Sequence, residues 1–153
     1  MEGLVHSINT SDGGVPKLPR ASVGVRRTGL EGDRQRDLEY HGGPDRAVSL
    51  FSLELIEALR AEGHPIAVGT IGENLTLAGL DWPALAPGMR LEIGEVSLEL
   101  TSHAAPCRNI AGSFSDRVFT RVADKAHPGW SRFYARVLKE GTLRVGDRVR
   151  VIA

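Results

Sequence analysis

Short runs of alternating apolar residues, separated by turn residues, constrain the fold of this chain most strongly. In the clearest case, every second residue on either side of Gly94-Glu95 is apolar: Met89, Leu91, Ile93, Val96, Leu98 and Leu100. Successive side chains of a strand point to opposite faces of a sheet, so this pattern predicts an antiparallel hairpin with one buried face.

The same spacing predicts a second hairpin at the end of the chain. Leu143 and Val145 lead into Gly146-Asp147, and Val149 and Val151 follow. Further strands are predicted at residues 4–8, 23–27, 47–51 and 71–77, because turn residues bound each of these apolar runs. Six to eight strands, as estimated from these runs, favour a mainly β fold, a small β-barrel with a few short helices, formed by residues 1–153 as a single domain.

Helical spacing is clearest from Leu53 to Ala61. Ser52 is a suitable N-cap, apolar residues recur on one stripe, and Gly63 lies just beyond the end. Residues 116–126 are predicted as a second helical stretch, and residues 130–138 are compatible with either helix or strand. The helix from Leu53 to Ala61 is expected to pack over an open end of the barrel.

Composition narrows the classes of function. The 19 basic and 19 acidic residues give a formal net charge of zero, which argues against electrostatic binding to nucleic acid or acidic membranes. No apolar run approaches the ~20 residues of a membrane span. The start of the sequence does not resemble a secretory signal, and with a single cysteine this favours the cytoplasm.

Cys107 is the only cysteine of the 153 residues, and it lies between a proline and an arginine after the predicted strand. One cysteine cannot form an intramolecular disulfide, a multi-thiolate zinc site or an iron–sulfur cluster. The remaining roles are a buried apolar side chain, a reactive thiolate, or a single ligand to a cofactor metal.

Glycine-containing segments before Cys107 supply further candidate site residues. Lys17 ends a polar loop in which backbone amides can approach an anion, His41 precedes two glycines, and Asn74 follows Gly72-Glu73 at the start of a predicted strand. Each alone also has an ordinary structural explanation as a surface lysine, a hydrogen-bonding histidine or a turn asparagine. The sequence contains no dinucleotide-binding glycine motif, phosphate-binding loop, zinc-hydrolase motif or nucleophile elbow.

In combination and in order, these segments resemble the MOSC domain, named for the C-terminal domain of molybdenum cofactor sulfurase. The matching segments are Pro16-Lys17, Gly32-Asp33, residues 41–48, Gly72-Glu73-Asn74-Leu75, residues 88–94 and Pro106-Cys107. The resemblance implies a β-barrel with a cleft for the pterin-based molybdenum cofactor, in a small stand-alone bacterial type without a pyridoxal-phosphate domain.

The resemblance also implies roles for individual residues. Cys107 would ligate molybdenum or carry sulfur as a persulfide, and Lys17 and Arg34 would bind the phosphate of the pterin. Asn74 would contact the cofactor. His41, as a second catalytic residue, and Arg46 would line the same cleft.

Three functions remain open at this stage. The first is a molybdenum-dependent reductase of N-hydroxylated small molecules, supplied with electrons by a separate redox protein. The second is a sulfur carrier whose Cys107 receives a persulfide from a cysteine desulfurase. The third is a non-catalytic cofactor-binding module in which Cys107 is structural.

Overall fold

The computed structural model describes residues 1–34 and 43–153. The strands in these ranges are β1 (Glu2–Thr10), β2 (Leu18–Arg20), β3 (Ser22–Arg26), β4 (Gly29–Leu30), β5 (Val48–Ser52), β6 (Leu75–Ala78), β7 (Arg90–Ile93), β8 (Val96–His103), β9 (Phe133–Lys139), β10 (Gly141–Arg144) and β11 (Arg148–Ile152). The helices there are α1 (Leu53–Ala61) and four 3₁₀ segments, Pro44–Arg46, Trp82–Ala84, Arg108–Ser113 and Phe119–Val122.

Within the described ranges, seven strands close into a barrel in the order β11-β7-β8-β9-β5-β6-β1, because β1 pairs back with β11. The pairs are antiparallel except for β5 and β6, which run parallel and are connected through α1. Strand β2 extends the sheet beside β1, while β10, β3 and β4 form a separate small sheet. The predicted mainly β barrel with a few short helices is therefore confirmed.

The predicted hairpin around Gly94-Glu95 is present as β7 and β8. Leu91 faces Leu98 and Ile93 faces Val96 across the pair, and all four side chains are buried. The alternation thus places one face of both strands in the core, where burial of each large apolar side chain stabilises the fold by ~2 kcal/mol.

Helix α1 has the predicted bounds and the predicted cap. The Ser52 hydroxyl accepts a hydrogen bond from the Leu55 amide at 3.2 Å, and Ile56 and Leu59 are buried against the barrel. Gly63 adopts a φ of 100° beyond the helix end, a conformation that glycine reaches without a Cβ penalty. No helix in the described part of the chain is long and apolar enough to cross a membrane.

The prediction of a hairpin at the end of the chain was wrong in its pairing. The turn itself forms, and the Arg144 amide donates to the Asp147 carboxylate at 2.8 Å. However, β10 pairs with β3 and β11 pairs with β7 and β1, so the two strands diverge into different sheets. Burial of Leu143 and Val149 against these distant partners outweighs the local tendency to pair.

Two other element predictions require correction. In residues 71–77 only the second half is strand, because Gly72 has a φ of 83° and its amide bonds to the Gly69 carbonyl in a turn. Residues 116–126 contain only the 3₁₀ segment Phe119–Val122, in which Val122 is buried. The segment left open at 130–138 contains strand β9.

Candidate functional site

A cavity of about 320 Å³ opens between the loop after β1, the turn before β6, the segment after β8 and the start of β9. The predicted site residues that line it are Lys17, Arg34, Asn74 and Cys107. Its other described lining residues are Gly14, Val15, Ser49, Ile71, Gly72, Asn109, Ile110, Arg132 and Tyr134. A volume of this order falls at the lower end of the range for small-molecule sites.

Cys107 enters the cavity from the segment that follows β8. It directly precedes the 3₁₀ segment Arg108–Ser113, whose first turn is closed by a 3.1 Å bond from the Ile110 amide to the Cys107 carbonyl. The thiol is free and its residue is partly exposed. The side chain is therefore accessible from the cavity instead of being packed as an inert apolar group.

Lys17 is held in the cavity wall by a buried ion pair. Its Nζ lies 2.7 Å from Oδ1 of Asp33, and the two side chains are 9% and 4% exposed. The same carboxylate accepts hydrogen bonds from the Ser11 amide and from Nδ2 of Asn74, each at 3.0 Å. The ammonium group is thus fixed in place by a carboxylate whose two oxygens both accept hydrogen bonds from the protein.

A glycine permits the backbone approach that places Lys17. The Lys17 amide donates to the Gly69 carbonyl at 2.9 Å, and Gly69 has a φ of +82°. A Cβ at Gly69 would collide with the Lys17 carbonyl oxygen. The turn before β6 and the loop after β1 can therefore meet only through glycine at this position.

Asn74 lines the cavity, but its amide is already occupied by protein partners. Nδ2 donates to the Asn9 carbonyl at 3.2 Å and to Asp33, while Oδ1 accepts from the Ser49 amide at 3.0 Å and its hydroxyl at 3.2 Å. These four bonds use the full capacity of an amide side chain. The arrangement makes Asn74 a joint between three wall segments, so direct polar contact with a cofactor through this amide stays a prediction.

Glu73, the neighbour of Asn74, is completely buried behind the cavity. Burial raises the pKa of this carboxyl to about 7, although the Gly69 amide, the Thr76 hydroxyl and the charge of Arg132 act in the opposite direction. Oε2 accepts from Gly69 and Thr76 at 3.2 and 3.0 Å, whereas Oε1 has no hydrogen-bond partner in residues 1–34 and 43–153. The group is therefore only partly ionised near neutral pH.

Arg132 is a lining residue that sequence reasoning missed. The residue is only 6% exposed, and its Nη1 donates to the Ile71 carbonyl at 2.9 Å. Its backbone carbonyl accepts from the Ala104 amide at 2.9 Å, which ties the start of β9 to the segment that leads to Cys107. Arg132 thus connects the Cys107 side of the cavity with the turn before β6.

Tyr134 lies in the cavity wall two residues further along β9. Burial raises the pKa of its phenol, against the opposing effect of the charges of Arg132 and Arg46, so the hydroxyl stays protonated at neutral pH. The guanidinium carbon of Arg46 lies 5.7 Å from the centroid of the Tyr134 ring. Arg46 thus contacts the ring of a lining residue but is not itself among the described lining residues.

Of the other predicted site residues, Arg34 lies within the described part of the structure and His41 does not. Arg34 lines the cavity as an exposed residue, and its amide donates to the Ser11 carbonyl at 2.8 Å. His41 lies outside the described residues, so its predicted catalytic role stays a prediction. Arg132 and Tyr134 lie in the segment for which helix and strand were left open, and its alternation from Phe133 onward was the available signal for a wall strand.

The sequence matches one family model and is similar to two curated proteins. The family model described as the MOSC domain matches residues 37–150. The chain is 32% identical over 142 residues to the uncharacterized protein YflK of Bacillus subtilis (strain 168), covering 92% of this chain and 63% of that protein. It is 30% identical over 83 residues to the protein YiiM of Escherichia coli (strain K12), covering 52% of this chain and 37% of that protein.

A solved structure shows the same fold. The crystal structure of YiiM from Geobacillus stearothermophilus aligns with a TM-score of 0.75 at 24% identity, covering 99% of this chain and 75% of that chain. The fold and the segment order therefore agree with the comparison of sequences. The chain spans less than two thirds of the length of each of the two curated relatives described above.

Proposed function

Because this chain belongs to the MOSC domain family, whose model matches residues 37–150, we propose that it binds the molybdenum cofactor and acts as a small reductase of N-hydroxylated compounds. The observation that carries the proposal is one cavity that contains the thiol of Cys107 together with the cationic side chains of Lys17 and Arg34. A soft ligand and phosphate-binding cations are the two kinds of group that such a cofactor requires.

The described lining fits this cofactor in three respects. Cys107 offers a thiolate, and two cationic side chains suit the anionic phosphate: Lys17 and Arg34. A Cβ at Gly72 would come within 3.0 Å of Val15, so glycine keeps this part of the wall open.

The roles of the residues follow from their positions. Lys17 and Arg34 would bind the phosphate, and Cys107 Sγ would ligate the metal. When bound, the group supplies two-electron redox chemistry and an acceptor for oxygen. Asp33 and Asn74 position Lys17, and Tyr134 keeps a proton on its hydroxyl in the wall of the cavity because burial raises its pKa.

The overall reaction fixes what must come from elsewhere. Reduction of an N–OH group to N–H consumes two electrons and two protons and releases one water. The sequence contains no motif for flavin, haem or an iron–sulfur cluster, so the electrons come from a separate redox protein. The small-molecule substrate occupies the cavity beside Cys107.

A second candidate function is favoured by the exposure and surroundings of Cys107. A partly exposed thiol close to cationic side chains is typical of a reactive thiolate. As a sulfur carrier, its Sγ would attack the sulfane sulfur of a cysteine desulfurase persulfide. A new S–S bond would form on Cys107, and the thiolate of the desulfurase would leave.

Metal analysis and intact-mass measurement separate the two functions. The protein is produced in a host that makes the molybdenum cofactor and is compared with Cys107→Ser. Under the reductase proposal the wild type retains molybdenum and the variant loses most of it. Under the carrier alternative the wild type shows a sulfur adduct without metal, and the variant lacks the adduct.

A pair of arginine variants controls for nonspecific effects. Arg34→Gln removes a cation from the cavity, whereas Arg136→Gln removes one that pairs with Asp45 and Glu99 and lies outside the described lining. The cofactor content should fall in Arg34→Gln and stay at the wild-type level in Arg136→Gln. If wild-type protein carries neither molybdenum nor an added sulfur, both functions are wrong. Molybdenum retained in full by Cys107→Ser would instead leave the non-catalytic cofactor-binding module.

A further inference from the structure

The guanidinium of Arg132 is nearly buried yet only partly used by the protein. One nitrogen donates to the Ile71 carbonyl, and the described residues provide no other hydrogen bond to this group. An arginine presents five N–H donors, and burying a charge without a partner is costly. An uncompensated guanidinium in the wall of a cavity is therefore suited to an anionic ligand.

The charges around Arg132 support this interpretation. No acidic side chain is among the lining residues in the described ranges, and Asp33 compensates Lys17 through a 2.7 Å ion pair. Glu73 is the acid whose charge interacts with Arg132, but the two form no ion pair within 4.0 Å, and burial keeps Glu73 partly protonated. The described residues therefore provide no ion-pair partner within 4.0 Å for Arg132, and the charge of Glu73 compensates it only in part.

The position of Arg132 separates it from the proposed phosphate-binding residues in sequence and in wall segment. Lys17 and Arg34 belong to the loops after β1 and β4, whereas Arg132 directly precedes strand β9. The Arg132 carbonyl is bonded to Ala104, three residues before Cys107. The guanidinium itself is bonded to the Ile71 carbonyl, so a group held by Arg132 would lie in the same cavity as Cys107, beside the turn before β6.

We infer that Arg132 determines specificity in this cavity and selects substrates that carry a carboxylate or a similar oxyanion. The assignment of this ligand as the substrate rests on the proposed reductase function. Within that function, the substrate class is N-hydroxylated compounds that bear an acidic group. The guanidinium can hold such a group with two parallel N–H donors, which an uncharged analogue does not engage.

The single thiol provides a direct test that needs neither cofactor nor turnover. Cys107 is alkylated with iodoacetate and, separately, with iodoacetamide; in both reactions Sγ displaces iodide and forms a C–S bond. The two reagents differ in one negative charge and little in size. Both rates are measured by intact mass. Because both reagents react with the same thiolate, the fraction of ionised Cys107 divides out of the rate ratio, which therefore reports the electrostatic potential at Cys107.

We expect the ratio of the iodoacetate rate to the iodoacetamide rate to be about five-fold lower in Arg132→Gln than in the wild type. This factor corresponds to the loss of one nearby positive charge when the interaction is screened as in water. Arg132→Lys should restore most of the ratio, and Arg136→Gln should leave it unchanged. An unchanged ratio in Arg132→Gln, or an equal fall in Arg136→Gln, overturns the inference. Circular dichroism and the rate with iodoacetamide show whether Arg132→Gln has kept its fold; if it has not, Arg132→Met takes its place in the same comparison.

A second measurement connects the charge to the substrate class. Benzamidoxime and its carboxylated analogue are compared as protectants of Cys107 against iodoacetamide. Stronger protection by the carboxylated compound in the wild type, lost in Arg132→Gln, supports the inference, and equal protection by both compounds overturns it. Both alkylation experiments use cofactor-free protein, in which Cys107 carries no metal. Absence of molybdenum from protein made in the cofactor-producing host would therefore remove the reductase function without changing the alkylation results, so the two failures are distinguishable.

Discussion

The Nζ of Lys17 lies 2.7 Å from Oδ1 of Asp33, and both side chains are almost fully buried. Replacing one member of such a pair leaves an uncompensated charge. We expect Asp33→Asn to lower the free energy of unfolding by about 3 kcal/mol, measured by urea denaturation. The same variant should also lose cofactor, because Lys17 is no longer fixed in the cavity wall.

The exposed pair Arg26 and Glu31 is the matched comparison. Its atoms are also 2.7 Å apart, but the side chains are 60% and 51% exposed, so Glu31→Gln should cost less than about 1 kcal/mol. The double variant Lys17→Met with Asp33→Asn should be more stable than the added single effects predict. Equal losses at Asp33 and Glu31 would contradict a special role for the buried pair.

Asn74 provides a test of positioning against direct cofactor contact. Asn74→Ala removes the bonds of this amide to the Asn9 carbonyl, the Asp33 carboxylate and the Ser49 amide, whereas the Ser49 hydroxyl still donates to the Gly72 carbonyl. Since each buried unpaired polar group costs about 1–3 kcal/mol, we expect an overall loss of at least about 2 kcal/mol in denaturation of cofactor-free protein. Full stability combined with loss of bound cofactor would instead favour direct contact.

Gly69→Ala tests the backbone approach that places Lys17. The new Cβ would meet the Lys17 carbonyl and would also require a residue with a side chain at a φ of +82°. Gly88→Ala is the matched control, because Gly88 has a φ of +95° but open space around the position of a Cβ. The control should cost about 1 kcal/mol by thermal or urea denaturation, and Gly69→Ala clearly more. Equal costs would mean that conformation alone, without the collision, explains the glycine.

The parts of the fold that were predicted correctly are those set by local patterns. The β7–β8 hairpin follows from alternation around one turn, and α1 follows from an apolar stripe with its serine cap. The β10–β11 turn was also recognised, but pairing of these strands depends on Val23, Ile93 and other residues far away in sequence. Local signals define the turn, whereas burial decides which strands become neighbours.

The candidate site shows the same division. The segments that carry Lys17, Arg34, Asn74 and Cys107 were named from the sequence, and the structure brings these four residues to one cavity. Their internal partners were not foreseen, because an ion pair such as Lys17 with Asp33 is created by the folded loops. Arg132 was missed because its sequence neighbours do not reveal that its charge is buried and incompletely paired.

Glu73 predicts how the stability of the protein depends on pH. Its pKa is raised from the usual 4.5 to about 7 by burial, so the folded protein holds the proton more tightly than the unfolded chain. Below pH 4.5 Glu73 is protonated in both the folded and the unfolded protein. Between pH 4.5 and about 7 it loses its proton only in the unfolded chain. The free energy of unfolding should therefore fall by up to about 3 kcal/mol as pH rises through this window and level off above it.

Glu73→Gln should abolish this fall, because glutamine has no proton to release, and the difference in stability between variant and wild type should change with pH across the same window. Glu62→Gln is the control of opposite sign. A hydrogen bond from Arg121 lowers the pKa of the Glu62 carboxyl, so the stability from Glu62 is lost as pH falls below its usual range. Urea denaturation from about pH 2.5 to about pH 8 measures both effects, because the loss from Glu62 lies below its usual pKa and the loss from Glu73 lies above it. A wild-type stability that stays level between 4.5 and 7 would show that Glu73 titrates as it does in the unfolded chain.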